Sequence, residues 1–194
     1  MSAESSKLHN IRTRTLKAPS HIMKRISSLS DSGVDFSVAS VRIPHESEFN
    51  TNARLVAAFS GVADEGELGT MVRTATALGF GHIMLLEKCA DVFGVKATRA
   101  SQGALWTTSF SVGSTAQLLS FARQHNYLPI QPCRLNCETK TMDHLSFDSK
   151  RYGGLIALIC PYYKKGFTEI SVGDFLTPWT VASSCFLHSV RVAS

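Results

Sequence analysis

The sequence predicts an α/β fold in which a mainly parallel sheet is flanked by helices. Short, wholly apolar runs of strand length alternate along the chain with amphipathic stretches that have helical spacing. The chain has 194 residues with 44% hydrophobic content, which is enough for one ordinary domain with a real core but not comfortably for two. We therefore expect one main domain, over residues 51–194.

The first strand–helix–strand unit is the clearest pattern. Residues 55–59 are all apolar and predict a buried strand, and residues 60–66 form a turn rich in glycine and acidic residues. Apolar residues then recur at helical spacing over residues 68–78, and Gly79 stands where a helix C-cap glycine is expected. Residues 82–86 predict the next strand.

The remaining elements continue the alternation. In chain order they are a helix over residues 95–105, a strand over 107–110, a helix over 116–125, and strands over 127–130 and 155–159. This order predicts the parallel sheet, because parallel strands need crossover connections.

The net charge of +5 is concentrated at the N-terminus. Residues 1–25 hold six basic side chains and one acidic side chain, and the rest of the chain is balanced. This segment is also rich in serine and has no apolar stretch, so it resembles a mitochondrial transit peptide or a disordered RNA-contacting arm more than a secretory signal. A solvated leader without a role is the plain alternative. We expect residues 1–50 to be a flexible basic extension and linker, and the protein to be mitochondrial or, failing that, cytoplasmic.

Several classes of protein and site find no support. Five cysteines at irregular spacing do not suggest a disulfide framework, and Cys133, Cys137 and His144 make an incomplete zinc site, so we expect no metal. No apolar run approaches the length of a membrane span. Phosphate-binding glycine loops and a G-x-S-x-G nucleophile elbow are absent from the sequence, and Asp64 and Glu65 in the first turn would repel a phosphate.

Two motifs surround the second predicted strand. Residues 67–75, ELGTMVRTA, match the pattern N-x-G-x-x-x-R-x-A except at the first position, and residues 96–104, KATRASQGA, match K-x-x-R-x-S-x-G-A. In order and separation they resemble the motifs of the SpoU, or TrmH-like, RNA 2′-O-ribose methyltransferases of the SPOUT superfamily. The resemblance covers residues 54–110 well and the rest weakly.

The resemblance implies a SPOUT-type α/β knot and a function. The function is transfer of a methyl group from S-adenosylmethionine to a ribose 2′-hydroxyl of ribosomal or transfer RNA, by a homodimer or a heterodimer with a related subunit. A final helix usually completes the knot in this family. Since the chain stops at Ser194, close to where that helix should begin, either the helix is short and displaced or the knot is incomplete.

The resemblance also implies roles for residues of the two motifs. Arg73 would be the catalytic residue, which anchors a phosphate and stabilises the incipient alkoxide; a guanidinium stays protonated, so we prefer this role to that of a general base. Glu67, Lys96, Arg99 and Ser101 would lie near the RNA or the dimer interface. A solvated helix face is the alternative for the last three.

The cofactor half of the family pattern is degenerate. Family members carry a G-x-E-G-x-G-like loop after the late strand, of which only Gly166 remains here, and the loop's Glu is missing. Residues 177–179 stand for an I-P-M-like segment and residues 186–188 for S-L-N, with His188 in place of the Asn. The resemblance then implies S-adenosylmethionine contacts at Cys160, Gly166, Thr177, Pro178 and Leu187.

Glu67 is a further departure, because the family pattern has Asn there. An ionised carboxylate only accepts hydrogen bonds and repels RNA phosphate, whereas an amide both donates and accepts. Together with the missing loop Glu, this residue motivates the alternative of a catalytically impaired SPOUT-fold protein. Such a protein would bind RNA or pair with an active subunit, for example in ribosome assembly. An unrelated α/β domain is a third interpretation.

Overall fold

The computed structural model describes residues 15–27, 38–50, 52–133, 140–141, 151–160, 164–165, 167–171, 186–188 and 190–191. The chain divides into two compact units, one that ends at Arg42 and one that begins at Ile43. In the first unit, helix α1 spans Ser20–Ile26, directly after Pro19. Lys24 and Arg25 lie in its last turn, where positive charges interact favourably with the negative end of the helix dipole. None of the residues of α1 is buried.

Within the described residues, the second unit contains a parallel sheet of seven strands. Every pair of neighbouring strands is parallel, and the order across the sheet is β3-β2-β1-β6-β4-β7-β5. The strands are β1 Leu55–Phe59, β2 His82–Leu85, β3 Phe110–Val112, β4 Tyr127–Cys133, β5 Lys140–Thr141, β6 Gly154–Ile159 and β7 Thr168–Ser171. The wholly apolar strand β1 lies between β2 and β6, and all its residues are buried.

Helices cover both faces of this sheet. They are α2 Glu65–Ala77, α3 Val95–Ser101, a 3₁₀ turn over Ala104–Trp106, and α4 Thr115–Gln124. Alternate residues of β1 and β6 enter two separate core clusters. One cluster contains Leu68 of α2 and, from the helical residues near the C-terminus, Phe186 and Leu187. The other contains Leu118 of α4. A sheet buried on both faces explains why its central strands read as continuous apolar runs.

The predicted α/β class is confirmed, and most elements lie where the sequence places them. Strand β4 runs three residues past its predicted end, and two other elements have wrong bounds. The helix predicted over residues 95–105 ends at Ser101, because Gln102 and Gly103 take left-handed conformations with φ of 48° and 90°. The strand predicted over residues 107–110 is instead Phe110–Val112, whose register is set by pairing Phe110 with Ile83 of β2.

Residues assigned to the linker also pack onto the second unit. The backbone N–H and the hydroxyl of Ser47 both donate to the carbonyl oxygen of Phe110, at 2.9 and 3.0 Å. The Phe49 ring lies 3.5 Å from the Phe121 ring, measured between centroids. The packed unit therefore starts several residues before position 51.

The described residues contain neither a membrane-spanning helix nor a cluster of potential metal ligands. No helix there is long and apolar enough to cross a membrane. No group of three or more potential ligands that could hold a metal ion occurs in that part of the chain either. Cys137 and His144, which were considered as zinc ligands, lie outside the described residues.

Candidate functional site

The two sequence motifs meet in space where α2 packs against α3. A Cβ atom at Gly69 would overlap the carbonyl oxygen of Ala97 and lie 2.9 Å from the Cβ of Ala100, so only glycine allows this approach. The Glu65 carboxylate of α2 also accepts a hydrogen bond from the backbone N–H of Lys96, at 3.2 Å. Motifs that are separated in sequence therefore form one helix pair.

Arg73 lies one helical turn beyond Gly69 on α2, on the same stripe of the helix. Its side chain is half-buried, whereas its neighbour Val72 is fully buried in the core. Among the described residues no hydrogen bond or ion pair holds the Arg73 guanidinium. Within the described part of the chain, no carboxylate therefore neutralises the Arg73 charge.

Glu67 is half-buried in the first turn of α2. Its backbone N–H donates to the Asp64 side chain at 2.8 Å, which caps the helix. Acidic side chains in the first turn interact favourably with the positive end of the helix dipole, and Glu65 lies in this turn too. The helix dipole, rather than the Asp64 cap, therefore gives a structural reason for an acidic residue at position 67.

The second motif divides into surface and core residues. Lys96 and Arg99 are exposed on α3. Ser101 is fully buried, and its hydroxyl donates to the carbonyl oxygen of Thr98 at 2.8 Å. In this structure Ser101 stabilises the end of α3 and presents no atom to a ligand in solvent, so we leave it out of the RNA surface proposed below.

The predicted cofactor residues are only partly within the described chain. Cys160 follows β6 at the carboxyl edge of the sheet and packs in the α4-side cluster, whereas Leu187 packs in the α2-side cluster. The structure does not bring these two side chains together. Gly166, Thr177 and Pro178 lie outside the described residues.

Sequence reasoning missed a polar network at the same edge of the sheet. Glu87, just after β2, accepts hydrogen bonds from the backbone N–H and the hydroxyl of Thr115, at 2.7 and 2.8 Å. The Lys164 ammonium lies 3.7 Å from the same carboxylate. Partial burial opposes ionisation, but the Thr115 hydrogen bonds and the Lys164 charge hold the pKa of the Glu87 carboxyl below its usual value.

The buried side chain of Gln131 joins this network. Its amide nitrogen donates to the carbonyl oxygen of Lys164 at 3.1 Å, and its amide oxygen accepts from the N–H of Lys164 at 3.3 Å. Two sequence signals pointed to this region without identifying it. Glu87 follows the carboxyl end of a buried strand, and Gln131 is a polar residue in a largely apolar one.

The chain shares an all-parallel sheet with helices on both faces with solved structures of RNA methyltransferases. The solved structure of a putative RNA methyltransferase of the TrmH family from Porphyromonas gingivalis matches 98% of this chain and 80% of its own, with 21% identity and a TM-score of 0.71. An AdoMet-bound rRNA methyltransferase from Sinorhizobium meliloti matches 72% of this chain and 56% of its own, with 19% identity and a TM-score of 0.59. These likenesses confirm the predicted fold.

The sequence comparison gives a shorter match. The chain is 45% identical over 51 residues to a curated 23S rRNA guanosine 2′-O-methyltransferase, RlmP, from Bacillus subtilis (strain 168). The match covers 26% of this chain and 21% of that protein, so the aligned part spans about a fifth of the relative. No protein-family profile matches the chain.

Proposed function

We propose that this chain is an S-adenosylmethionine-dependent RNA 2′-O-ribose methyltransferase that acts on ribosomal or transfer RNA. The observation that carries the proposal is the close packing of α2 on α3 at Gly69, which unites the two motif helices. Arg73 on one helix and the exposed Lys96 and Arg99 on the other then supply three cations. The SpoU-type relatives support the same function.

Arg73 is the proposed catalytic residue. Its guanidinium donates hydrogen bonds to the phosphate next to the target ribose, and this fixes the 2′-hydroxyl for in-line attack. The same positive charge stabilises the negative charge that develops on the 2′-oxygen as its proton passes to solvent water. Lys96 and Arg99 hold flanking phosphates through charge, without reading sequence.

The described edge of the sheet fits the proposed cofactor. Ligands of open α/β sheets bind outside the carboxyl ends of the strands, and here the apolar residues Leu86 and Cys160 follow β2 and β6 at that edge and share one cluster. The ammonium of Lys164 is paired with the Glu87 carboxylate. This pairing reduces the repulsion between the lysine and the positively charged sulfonium of S-adenosylmethionine. When bound, S-adenosylmethionine supplies the methyl group. The resemblance assigns its contacts to Cys160, Gly166, Thr177, Pro178 and Leu187.

The test combines cofactor binding with methyl transfer. We expect isothermal titration to detect micromolar binding of S-adenosylmethionine to the full chain. Arg73→Ala should lose transfer to bulk ribosomal or transfer RNA by about a hundredfold or more while it retains cofactor binding and the unfolding midpoint. Arg123→Ala, which removes an exposed arginine of α4, is the matched control and should keep full activity. Full transfer by Arg73→Ala would exclude the assigned role.

Glu67 favours a second function, that of a catalytically impaired SPOUT-fold protein that binds RNA or pairs with an active subunit. A half-buried carboxylate in place of the family's Asn opposes phosphate binding next to Arg73. A folded chain that binds RNA but not S-adenosylmethionine would favour this function.

The assembly and location belong to the same proposal. We infer a homodimer or a heterodimer with a related subunit, which the mass of the chain in solution and co-purification would test. We also infer a mitochondrial location from the basic N-terminal segment. A reporter that carries residues 1–50 should enter mitochondria, and a cytoplasmic reporter would contradict this.

A further inference from the structure

We propose that Trp106 stacks on an unpaired base of the RNA substrate, beside the phosphates that Lys96 and Arg99 hold. This inference deepens the proposed function and rests on it for RNA as the ligand. It narrows the substrate to RNA that presents an unstacked base, as single strands, loops and bulges do. Bases within a double helix are already stacked on one another and offer no free face.

The exposure of Trp106 is the first observation. Of the phenylalanine, tyrosine and tryptophan residues that the structure describes, Trp106 alone is exposed, with 36% of the residue open to solvent. A single exposed apolar residue needs no explanation by itself. An exposed aromatic ring that is rigidly held and flanked by cations is different, because it is the combination that binds single-stranded nucleic acid.

The second observation is the support of the ring. Trp106 is the last residue of the 3₁₀ turn, and its backbone N–H donates to the carbonyl oxygen of Gly103 at 3.1 Å. The preceding residue, Leu105, is buried in the core and fixes the turn. The indole ring contacts the Phe93 ring edge to face, with centroids 6.5 Å apart, and Phe93 contacts the buried Phe110 in the same way. A ring that is held before RNA arrives loses little entropy on binding.

The third observation is the charge around the ring. Residues 92–137 contain no aspartate or glutamate, and their charged side chains are all basic. Helix α3 packs against the 3₁₀ turn and is only about 10 Å long. It exposes Lys96 and Arg99, and neither forms an ion pair within the described residues. The carboxylates of Glu65 and Asp91 at the start of α3 each accept a backbone N–H, at 3.2 and 2.9 Å.

This combination favours RNA over a protein partner. Phosphates of one strand can pair with the two cations of α3 while a neighbouring base covers the indole. A protein surface would have to supply carboxylates at the same spacing as well as an apolar contact. Stacking on an aromatic face also tolerates any base, so Trp106 selects for an unpaired base and not for a particular one.

The experiment measures the affinity of the full chain for two labelled RNA probes, an unstructured strand and a blunt duplex of the same sequence. Trp106→Ala should raise the Kd for the strand by about tenfold and change the Kd for the duplex by less than about twofold. The slope of log K against log salt should stay unchanged, because stacking releases no counterions. Trp106→Phe keeps an aromatic face and should retain the strand affinity within about threefold.

Val112→Ala is the matched control, since it removes an exposed apolar side chain of β3, and it should bind both probes as wild type does. Trp106→Leu serves as a second variant if Trp106→Ala fails to fold. It keeps an apolar side chain against Phe93 but has no aromatic face, so the same changes are expected. Equal losses on strand and duplex, or unchanged affinity for both, would overturn the inference. A dimer that becomes a monomer with unchanged RNA affinity would also overturn it, and would make this surface a protein interface.

Cofactor binding and methyl transfer separate this inference from the proposed function. The Kd for S-adenosylmethionine should be the same in wild type and Trp106→Ala, because the substitution removes an RNA contact only. A wild-type chain that neither binds S-adenosylmethionine nor transfers a methyl group would refute the proposed function, whereas a selective loss of strand affinity in Trp106→Ala would support base stacking in that case too. Wild-type strand affinity and transfer in Trp106→Ala would instead refute the inference and leave the proposed function intact.

Discussion

Gly69 of α2 lies so close to Ala97 of α3 that a side chain at position 69 would overlap the Ala97 carbonyl oxygen. Backbone cannot move aside as the end of a flexible side chain can. Alanine normally favours a helix interior over glycine by about 1 kcal/mol. We nevertheless expect Gly69→Ala to destabilise the fold by about 2 kcal/mol, because the clash outweighs that gain.

Gly66→Ala in the same helix is the matched control for this prediction. Its nearest neighbour would be the Asp64 side chain, at 3.1 Å, which needs to shift by only a few tenths of an ångström and can keep its cap on Glu67. We expect its free energy of unfolding to stay within about 1 kcal/mol of wild type. Denaturant unfolding followed by circular dichroism measures both variants, and equal stabilities would contradict the role given to the Gly69 contact.

Glu67→Asn should strengthen RNA binding. The substitution restores the amide of the family pattern and removes a negative charge from the Arg73 helix, so the RNA Kd should fall by about fivefold at low salt. The gain should shrink as salt rises, because screening weakens the repulsion. Fluorescence anisotropy with labelled RNA measures the change, and Glu46→Gln, which removes an exposed charge outside the motifs, is the control. Equal gains in both variants would mean that net charge alone is responsible.

The burial of His82 predicts that the folded protein loses stability in acid. The residue is fully buried, its Nε2 lies 2.8 Å from the Ser111 hydroxyl, and its Nδ1 has no partner among the described residues. Burial lowers the pKa of His82 from 6.5 to about 4. The unfolded chain then binds the proton more readily than the folded chain, so stability is full above pH 6.5 and falls as the pH drops toward 4.

We expect this loss to reach about 2 kcal/mol. Urea unfolding at a series of pH values measures it. His82→Gln, which does not titrate, should flatten the dependence between pH 6.5 and 4, whereas the exposed His21→Gln should leave it intact. An unchanged profile in His82→Gln would show that another group is responsible.

The basic N-terminal segment should contribute to RNA binding through charge. Lys17, Lys24 and Arg25 are exposed on or just before α1. Replacing all three by Gln should reduce the slope of log K against log salt by about 1 for each lost phosphate contact. An unchanged slope would mean that this segment is not an RNA-binding arm, and it would favour the targeting function.

Local sequence patterns predict the centre of the fold but not its edges. Residues 55–59 are apolar throughout because both faces of β1 are buried, and this makes the strand visible in the sequence. The sequence did not predict strands β5 and β7. They are defined by pairing of β7 with β4 and with β5, whose residues are distant in the sequence. The end of α3 was missed for a different reason: Gln102, which is not a glycine, adopts the left-handed conformation that stops the helix.

The site shows the same division. The family motifs drew attention to Gly69, whose close contact with α3 the structure shows, and they predict a role for Arg73; no local pattern could show that Ser101 is buried. The contact between Gln131 and Lys164 joins residues 33 positions apart, and it depends on the order of strands in the sheet. Helical or strand periodicity in the sequence cannot predict a tertiary contact of this kind.

The place of β6 in the sheet has a consequence for how the chain folds. Leu55 of β1 pairs with Leu155 of β6, so one edge of β1 has no partner until the ribosome has made about a hundred further residues. Contacts between such distant residues form slowly, and an apolar strand with an open edge invites pairing with other chains. We therefore expect newly made chains to depend on chaperones until β6 inserts between β1 and β4.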